Sequence, residues 1–150
     1  MHVEWYGQSF FRLTGAERSV VIDPHGDLSW ARSQGRMFDY PAVEGLTADL
    51  VLVTHEHGDH NGIETIGGEP AVLRSTVGTL ESPVGTVVAV ASEHDDVAGT
   101  QRGPNTIFAF ELALVEALDA GAERSEELVW WVEEVGCLGP VVHRYDKPRS

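Results

Sequence analysis

Only one cysteine, Cys137, stands among the 150 residues, so no disulfide can close within the chain, and a reducing compartment is the natural expectation. No run of the sequence approaches the ~18 apolar residues of a membrane helix. The N-terminal Met1-His2-Val3-Glu4 carries neither the basic region nor the apolar stretch of a secretory leader. A cytoplasmic location without a membrane partner is therefore expected. Basic residues are also scarce, 10 against 24 acids, and the formal net charge of −14 disfavours nucleic acid and anionic membranes, which need a basic surface. A bound divalent cation would reverse that sign locally, so a small anionic substrate stays compatible with the composition. The 42% hydrophobic content suffices for one globular domain with a buried core.

Against this background one stretch concentrates chemistry. Thr54-His55-Glu56-His57-Gly58-Asp59-His60 follows the apolar run Leu50-Val51-Leu52-Val53, which has the length of a strand buried on both faces. His55 and His57 are two apart, a spacing that in extended chain points both imidazoles the same way. Gly58 permits a tight turn that brings Asp59 and His60 round to a second position. Three imidazoles and a carboxylate within such a short segment suit zinc, manganese or iron, with no thiolate to make the site purely structural.

His55-Glu56-His57-Gly58-Asp59-His60 resembles the HxHxDH signature of the metallo-β-lactamase superfamily of metal-dependent hydrolases. Trp5 to Leu13, Val21-Ile22-Asp23-Pro24 and Arg102-Gly103-Pro104-Asn105 are similar to its ascorbate-6-phosphate lactonase-like branch. The resemblance covers about residues 1–111. It implies an α/β fold, the N-terminal half of an αβ/βα sandwich, mostly β-sheet with short helices, followed by a divergent helical tail over 112–150.

Taken in order, residues 2–6 and 10–14 read as two strands of a hairpin, and Arg18 to Asp23 as a third strand stopped by Pro24. Asp23 at that strand's end is either an ordinary turn residue or a support for the metal site, and the resemblance favours the second. His25 reads as a solvent-facing turn residue. Residues 26–48 hold a short helix at Leu28 to Ser33, with Trp30, Met37, Phe38 and Tyr40 expected to pack on the sheet. Asn61 to Ile66 reads as a short helix ended by Gly67-Gly68. Ala71 to Arg74, Thr86 to Ala91 and Thr106 to Phe110 read as strands, with residues 79–85 as a connection. On its own pattern, His94 is equally a ligand or a solvated loop histidine; the resemblance makes it the third imidazole beside His55 and His57. Asp95 and Asp96 read as solvated charges, and Arg102 as a surface arginine.

Beyond Glu111 the pattern breaks. The family's Gly-Asp, whose carboxylate bridges two ions, does not follow Phe110, and Asp119 and His143, the only later histidine, sit in the wrong context to replace the missing ligands. Ser125 to Val135 reads instead as an amphipathic helix, with Leu128, Val132 and Val135 at helical spacing and Gly136 as its stop. The resemblance thus implies a hydrolase in which metal-activated water attacks a small ester, lactone or phosphorylated metabolite. His55, His57 and His94 hold one ion, while Asp59 and His60 belong to a second. Asp59 is also the residue expected to orient the water or take its proton. Asp23 and Asp49 are expected to fix imidazole orientation. Two rival expectations are a truncated or frame-shifted remnant that binds metal without turnover, and an interaction module completed by another chain, including a second copy.

Overall fold

The computed structural model describes residues 1–113, 128–134 and 140–146, the last two segments as backbone strands. Two five-stranded sheets organise it. The first runs β1 (His2–Gly7), β2 (Phe10–Thr14), β3 (Ser19–Ile22), β4 (Leu50–Val53) and β5 (Ala71–Arg74) in spatial order, antiparallel through β3 and parallel from β3 to β5. The second is antiparallel throughout, in the order β10 (Pro140–Asp146), β9 (Leu128–Glu134), β8 (Pro104–Glu111), β7 (Gly85–Glu93) and β6 (Gly78–Ser82).

The central strands explain the apolar runs seen in the sequence. Every residue of β3 and β4 is buried, as expected where a parallel pair is covered on both faces. Successive side chains point to opposite faces. Val20, Ile22, Leu50 and Leu52 accordingly join Leu13 and meet Val87, Ala89, Phe108 and Phe110 of the second sheet, with Leu112 just past β8, forming the core between the sheets. Val21, Val51 and Val53 face the other way and pack with Phe10, Leu46 and Ile66 under the long connection from β3 to β4. Fully burying one such side chain contributes roughly 1.5–3 kcal/mol. Charged or polar replacements within β3 or β4 would therefore disturb both cores.

Short helices sit where expected but are smaller. α1 (Ser29–Ser33) lies within the β3–β4 connection, and the segment after the histidine-rich stretch makes only a single 3₁₀ turn, Ile63–Thr65. Three expectations are corrected. Residues 78–82 form the edge strand β6, joined to β7 by the tight Pro83-Val84 turn, rather than a plain connection. Residues 128–134 form strand β9, paired antiparallel to β8 with Phe108 opposite Val132 and Glu111 opposite Val129, rather than part of a helix. The Leu128/Val132 spacing fits a helix as well, but Val-Trp-Trp-Val is rich in the β-branched and aromatic types that favour strands, and the open edge of β8 supplies the partner. His25 is buried, its ring edge-on to Phe10 and Nε2 3.3 Å from the Tyr6 carbonyl, rather than facing solvent.

Candidate metal centre

The centre forms where three strands end. β3 delivers Asp23, β4 delivers Thr54 and the histidine stretch, and β7 delivers His94. A backbone hydrogen bond from Thr106 N–H to Thr54 O, 2.8 Å, ties the start of β8 to the end of β4, joining the two sheets at this rim. After Thr54 the chain leaves the sheet, and a turn closed by His60 N–H to His57 O, 2.9 Å, carries Gly58 and Asp59. Gly58 does not adopt the left-handed backbone there. Its place is instead beside the indole of Trp30, which a Cβ at residue 58 would meet at 3.7 Å, ordinary contact. Gly62 is the glycine that sterics demand. Its Cβ would fall 2.2 Å from Gly26 N and 2.5 Å from the His25 carbonyl carbon, while its own N–H bonds Pro24 O at 2.7 Å. This close approach locks the turn carrying His60 against the end of β3.

The structure brings His55, His57 and His94 together. One ligand nitrogen of each lies within 4.8 Å of the others, and the ring centroids are 4.4 to 5.0 Å apart. His55 is buried, His94 half-buried and His57 exposed toward a cavity of about 380 Å³. Burial holds the His57 imidazole below its ordinary value, and repulsion from His55 and His94 adds to it, while Asp59 opposes. A neutral ring at neutral pH keeps its lone pair for a cation.

Asp23 governs the ring orientations. Completely buried, it accepts Thr54 N–H at 2.7 Å on one oxygen; the other accepts the Thr54 hydroxyl at 2.6 Å and lies 3.2 Å from His60 Nδ1. A carboxylate only accepts, so Nδ1 of His60 carries the proton and Nε2 keeps the lone pair. Since the Thr54 hydroxyl gives its one hydrogen to Asp23, its oxygen is left to accept from Nδ1 of His55, 3.1 Å away, which leaves the lone pair of His55 on Nε2. Asp23, His55 and His60 also form a three-donor group within 4.8 Å, but the oxygens of Asp23 are already engaged with Thr54 and His60.

The remaining expected residues divide. Asp59 is half-buried with Oδ2 3.9 Å from His60 Nε2, and among the described residues no third donor completes a cluster with this pair. Asp49 does not approach the histidines; the whole of β4, roughly 13 Å of strand, separates it from them. Its carboxylate binds Arg18 Nη1 at 2.8 Å and the Ser19 N–H at 2.8 Å, and these bonds hold its carboxyl below the usual range. The expected orienting role of Asp49 is thus replaced by a structural one. Asp119 lies outside the described residues, as does the side chain of His143.

Thr54, Arg74 and Ser75 went unnoticed in the sequence, and Asp95, read there as a solvated charge, has a structural part. Thr54 is the buried hub joining Asp23 to His55. Arg74 and Ser75 at the end of β5 grip Glu56, the residue between the two histidines. Glu56 accepts from both Nε (2.9 Å) and Nη2 of Arg74, from the Ser75 hydroxyl at 2.7 Å and from Asn61 at 3.3 Å, and the Arg74 bonds lead in pulling its carboxyl down to about 2. Asp95 organises the loop after His94: its carboxylate accepts the backbone N–H groups of Val97, Gly99, Gln101 and Arg102 at 2.7 to 3.0 Å. Its only sequence signal is the pair of glycines, Gly99 and Gly103, that follows it.

Two histidines at the end of β4 thus meet a third from the opposite sheet. The sequence profile described as beta-lactamase superfamily domain matches residues 2–133. The chain belongs to this superfamily, and the match runs past Glu111 into β9, beyond the residues whose motifs resemble the family. Among similar proteins, a UPF0173 metal-dependent hydrolase of Methylobacterium nodulans is 42% identical over 62 residues, covering 41% of this chain and 25% of that protein. A second, from Mesorhizobium japonicum, is 38% identical over 77 residues, 49% of this chain and 30% of the relative. A third, from Rhizobium etli, is 24% identical over 131 residues, 85% of this chain and 51% of the relative. The chain thus spans between about a quarter and about half of the length of these relatives. A crystal structure from Thermotoga maritima assigned to the metallo-β-lactamase superfamily aligns over 73% of this chain and 43% of its own, at 22% identity and a TM-score of 0.49.

Proposed function

We propose that this chain carries the principal metal site of a metal-dependent hydrolase, with His55, His57 and His94 holding one divalent ion. The observation that carries the reading is the convergence of these three imidazoles from two different sheets. The donor set fits the group: three nitrogens, no thiolate and an adjoining cavity correspond to the ligand set of a catalytic His₃ zinc site, and manganese or iron accept the same donors. A bound ion would supply Lewis acidity and lower the pKa of coordinated water. The chain's own residues contribute the rest. Asp23 and Thr54 orient His55 and His60, and Asp59, beside His60, is placed to take a proton from water or to join His60 at a second ion.

The substrate class proposed is a small ester, lactone or phosphorylated metabolite, in keeping with a cavity of about 380 Å³. One ion is favoured over two by a specific observation: among the described residues no three-donor group includes both Asp59 and His60, and the group that does include His60 relies on Asp23, whose oxygens are engaged with Thr54 and His60 itself. The test is a panel of activated esters, lactones and phosphomonoesters run with metal-loaded, chelator-treated and His57→Ala protein. Turnover confined to the loaded wild type supports the proposal. Turnover that survives both chelation and His57→Ala contradicts it.

A further inference from the structure

A second cavity, of about 340 Å³, opens at the free edge of β1, where residues 40–46 of the β3–β4 connection pass beside Trp5 and Tyr6. It shares no lining residue with the cavity beside the histidines. Its wall includes Trp5, Tyr6, Tyr40, Val43, Glu44 and Leu46. The rings are held in place without a ligand. Trp5 and Tyr40 meet at 74° with centroids 5.9 Å apart, so their planes form a corner. Tyr40 lies directly on Gly7, where a Cβ would fall 2.3 Å from the ring and where the backbone is left-handed. Phe38 stacks on Tyr40 with an offset, centroids 6.3 Å apart, and adds to its support.

Two of these rings spend their polar ends elsewhere. The Trp5 indole N–H donates to Gln8 O at 2.8 Å, and the Tyr6 hydroxyl donates to Glu4 at 3.2 Å. Glu44 is the one carboxylate of the wall; it is exposed and makes no hydrogen bond or ion pair among the described residues. No lysine, arginine or histidine lines the cavity. Arg12, the cation whose charge reaches Tyr6, is paired with Glu4 at 3.4 Å. An anion would thus find no charge partner here, on a chain of formal charge −14. What the cavity offers is aromatic surface and one uncompensated negative charge.

We infer that this cavity binds a small organic cation of the quaternary or methylated ammonium class, its methyl groups against Trp5 and Tyr40 and its charge balanced by Glu44. Electron-rich ring faces attract a weakly hydrated cation, which is how aromatic cages hold methylated ammonium ligands. A bare ammonium is strongly hydrated and a metal ion needs several oxygen ligands, so neither suits this wall. The cavity has the size of a small-molecule site, and a chain this acidic is poorly matched to an anionic bilayer surface. Its long-range field instead draws cations in. The inference does not depend on the hydrolase reading.

The experiment measures dissociation constants on the full chain by NMR of the ligand methyl protons. The probes are choline, tetramethylammonium and the uncharged analogue of choline in which carbon replaces the nitrogen. Wild type is expected to bind choline about tenfold or more tighter than the uncharged analogue. Trp5→Ala and Tyr40→Ala should each weaken choline about tenfold, and Trp5→Phe should restore part of the affinity. Glu44→Gln should weaken it about threefold and remove most of its salt dependence. Trp5 is 60% exposed, so its variants test the site with the fold intact even where Tyr40→Ala does not fold. Zinc content should be the same in the Trp5 and Glu44 variants as in wild type. Equal affinity for choline and its uncharged analogue, or choline affinity that survives Trp5→Ala, overturns the inference. Association with phosphatidylcholine vesicles without binding of free choline overturns it as well.

Discussion

The two ends of the β3–β4 pair carry the same device in mirror order. At the start, Asp49 on the β4 side accepts the N–H and hydroxyl of Ser19 on β3; at the far end, Asp23 on the β3 side accepts the N–H and hydroxyl of Thr54 beyond β4. The difference lies in the third partner. Asp49 closes on Arg18, a side chain half exposed to water, whereas Asp23 closes on His60, which is buried. A guanidinium ends the network, because it has no lone pair to offer. An imidazole can pass it on, since a proton fixed on Nδ1 leaves the lone pair on Nε2. One end of the pair is thus finished as structure, and the other is left open as chemistry.

Breaking the two ends separately should make the contrast measurable. Asp23→Ala strips three buried donors of their acceptor, and a cost of about 3 kcal/mol or more in urea denaturation is expected, with zinc affinity falling about 10- to 100-fold. Gly62→Ala forces a methyl into the backbone of Gly26 and His25. It should cost about 2–3 kcal/mol and weaken zinc binding, because the turn that runs from His57 to His60, closed by His60 N–H to His57 O, is pushed off the end of β3. Asp49→Ala removes an ion pair open to solvent and the two hydrogen bonds from the N–H and hydroxyl of Ser19. About 1 kcal/mol should be lost, with zinc affinity unchanged; a comparable loss of affinity at both ends would erase the distinction.

The smallest effect concerns acid. Glu56 is held down to about 2 chiefly by Arg74, below its unfolded value of 4.5. A depressed carboxyl contributes stability that is complete above the unfolded value and fades as pH falls toward the folded one. Wild type should therefore lose this contribution between roughly pH 4.5 and 2, and Glu56→Gln should flatten that part of the stability profile. As an exposed pair it is worth no more than about 1 kcal/mol, and circular dichroism melts at several pH values would resolve it. His57 acts in a higher window. Its depressed folded value means that the unfolded chain takes up the proton first, so the metal-free protein should lose stability as pH falls below about 6.5.

Local pattern carried much of this to the eye. Leu50 to Val53, Val20 to Ile22 and the His55–His60 cluster announce themselves, because a doubly buried strand and a ligand-rich turn leave their marks within a few residues. Asp23 was legible only as a strand-end carboxylate, and its partner Thr54 not at all, since their meeting depends on which strands lie side by side. Asp49 misled for the same reason: it neighbours the motif in sequence but sits at the far end of β4. His25 was misjudged because the aromatic wall that buries it, Phe10 and Tyr40, comes from β2 and the β3–β4 connection. Residues 128–134 read as helix because Leu128 and Val132 satisfy both periods, and only the free edge of β8 decides for a strand.

The central claim is that imidazoles from two sheets share one ion. X-ray absorption spectroscopy on the zinc-loaded chain should count three nitrogen ligands of imidazole type at about 2.0–2.1 Å, falling to two in His94→Ala. A zinc shell that is the same in wild type and His94→Ala would contradict it.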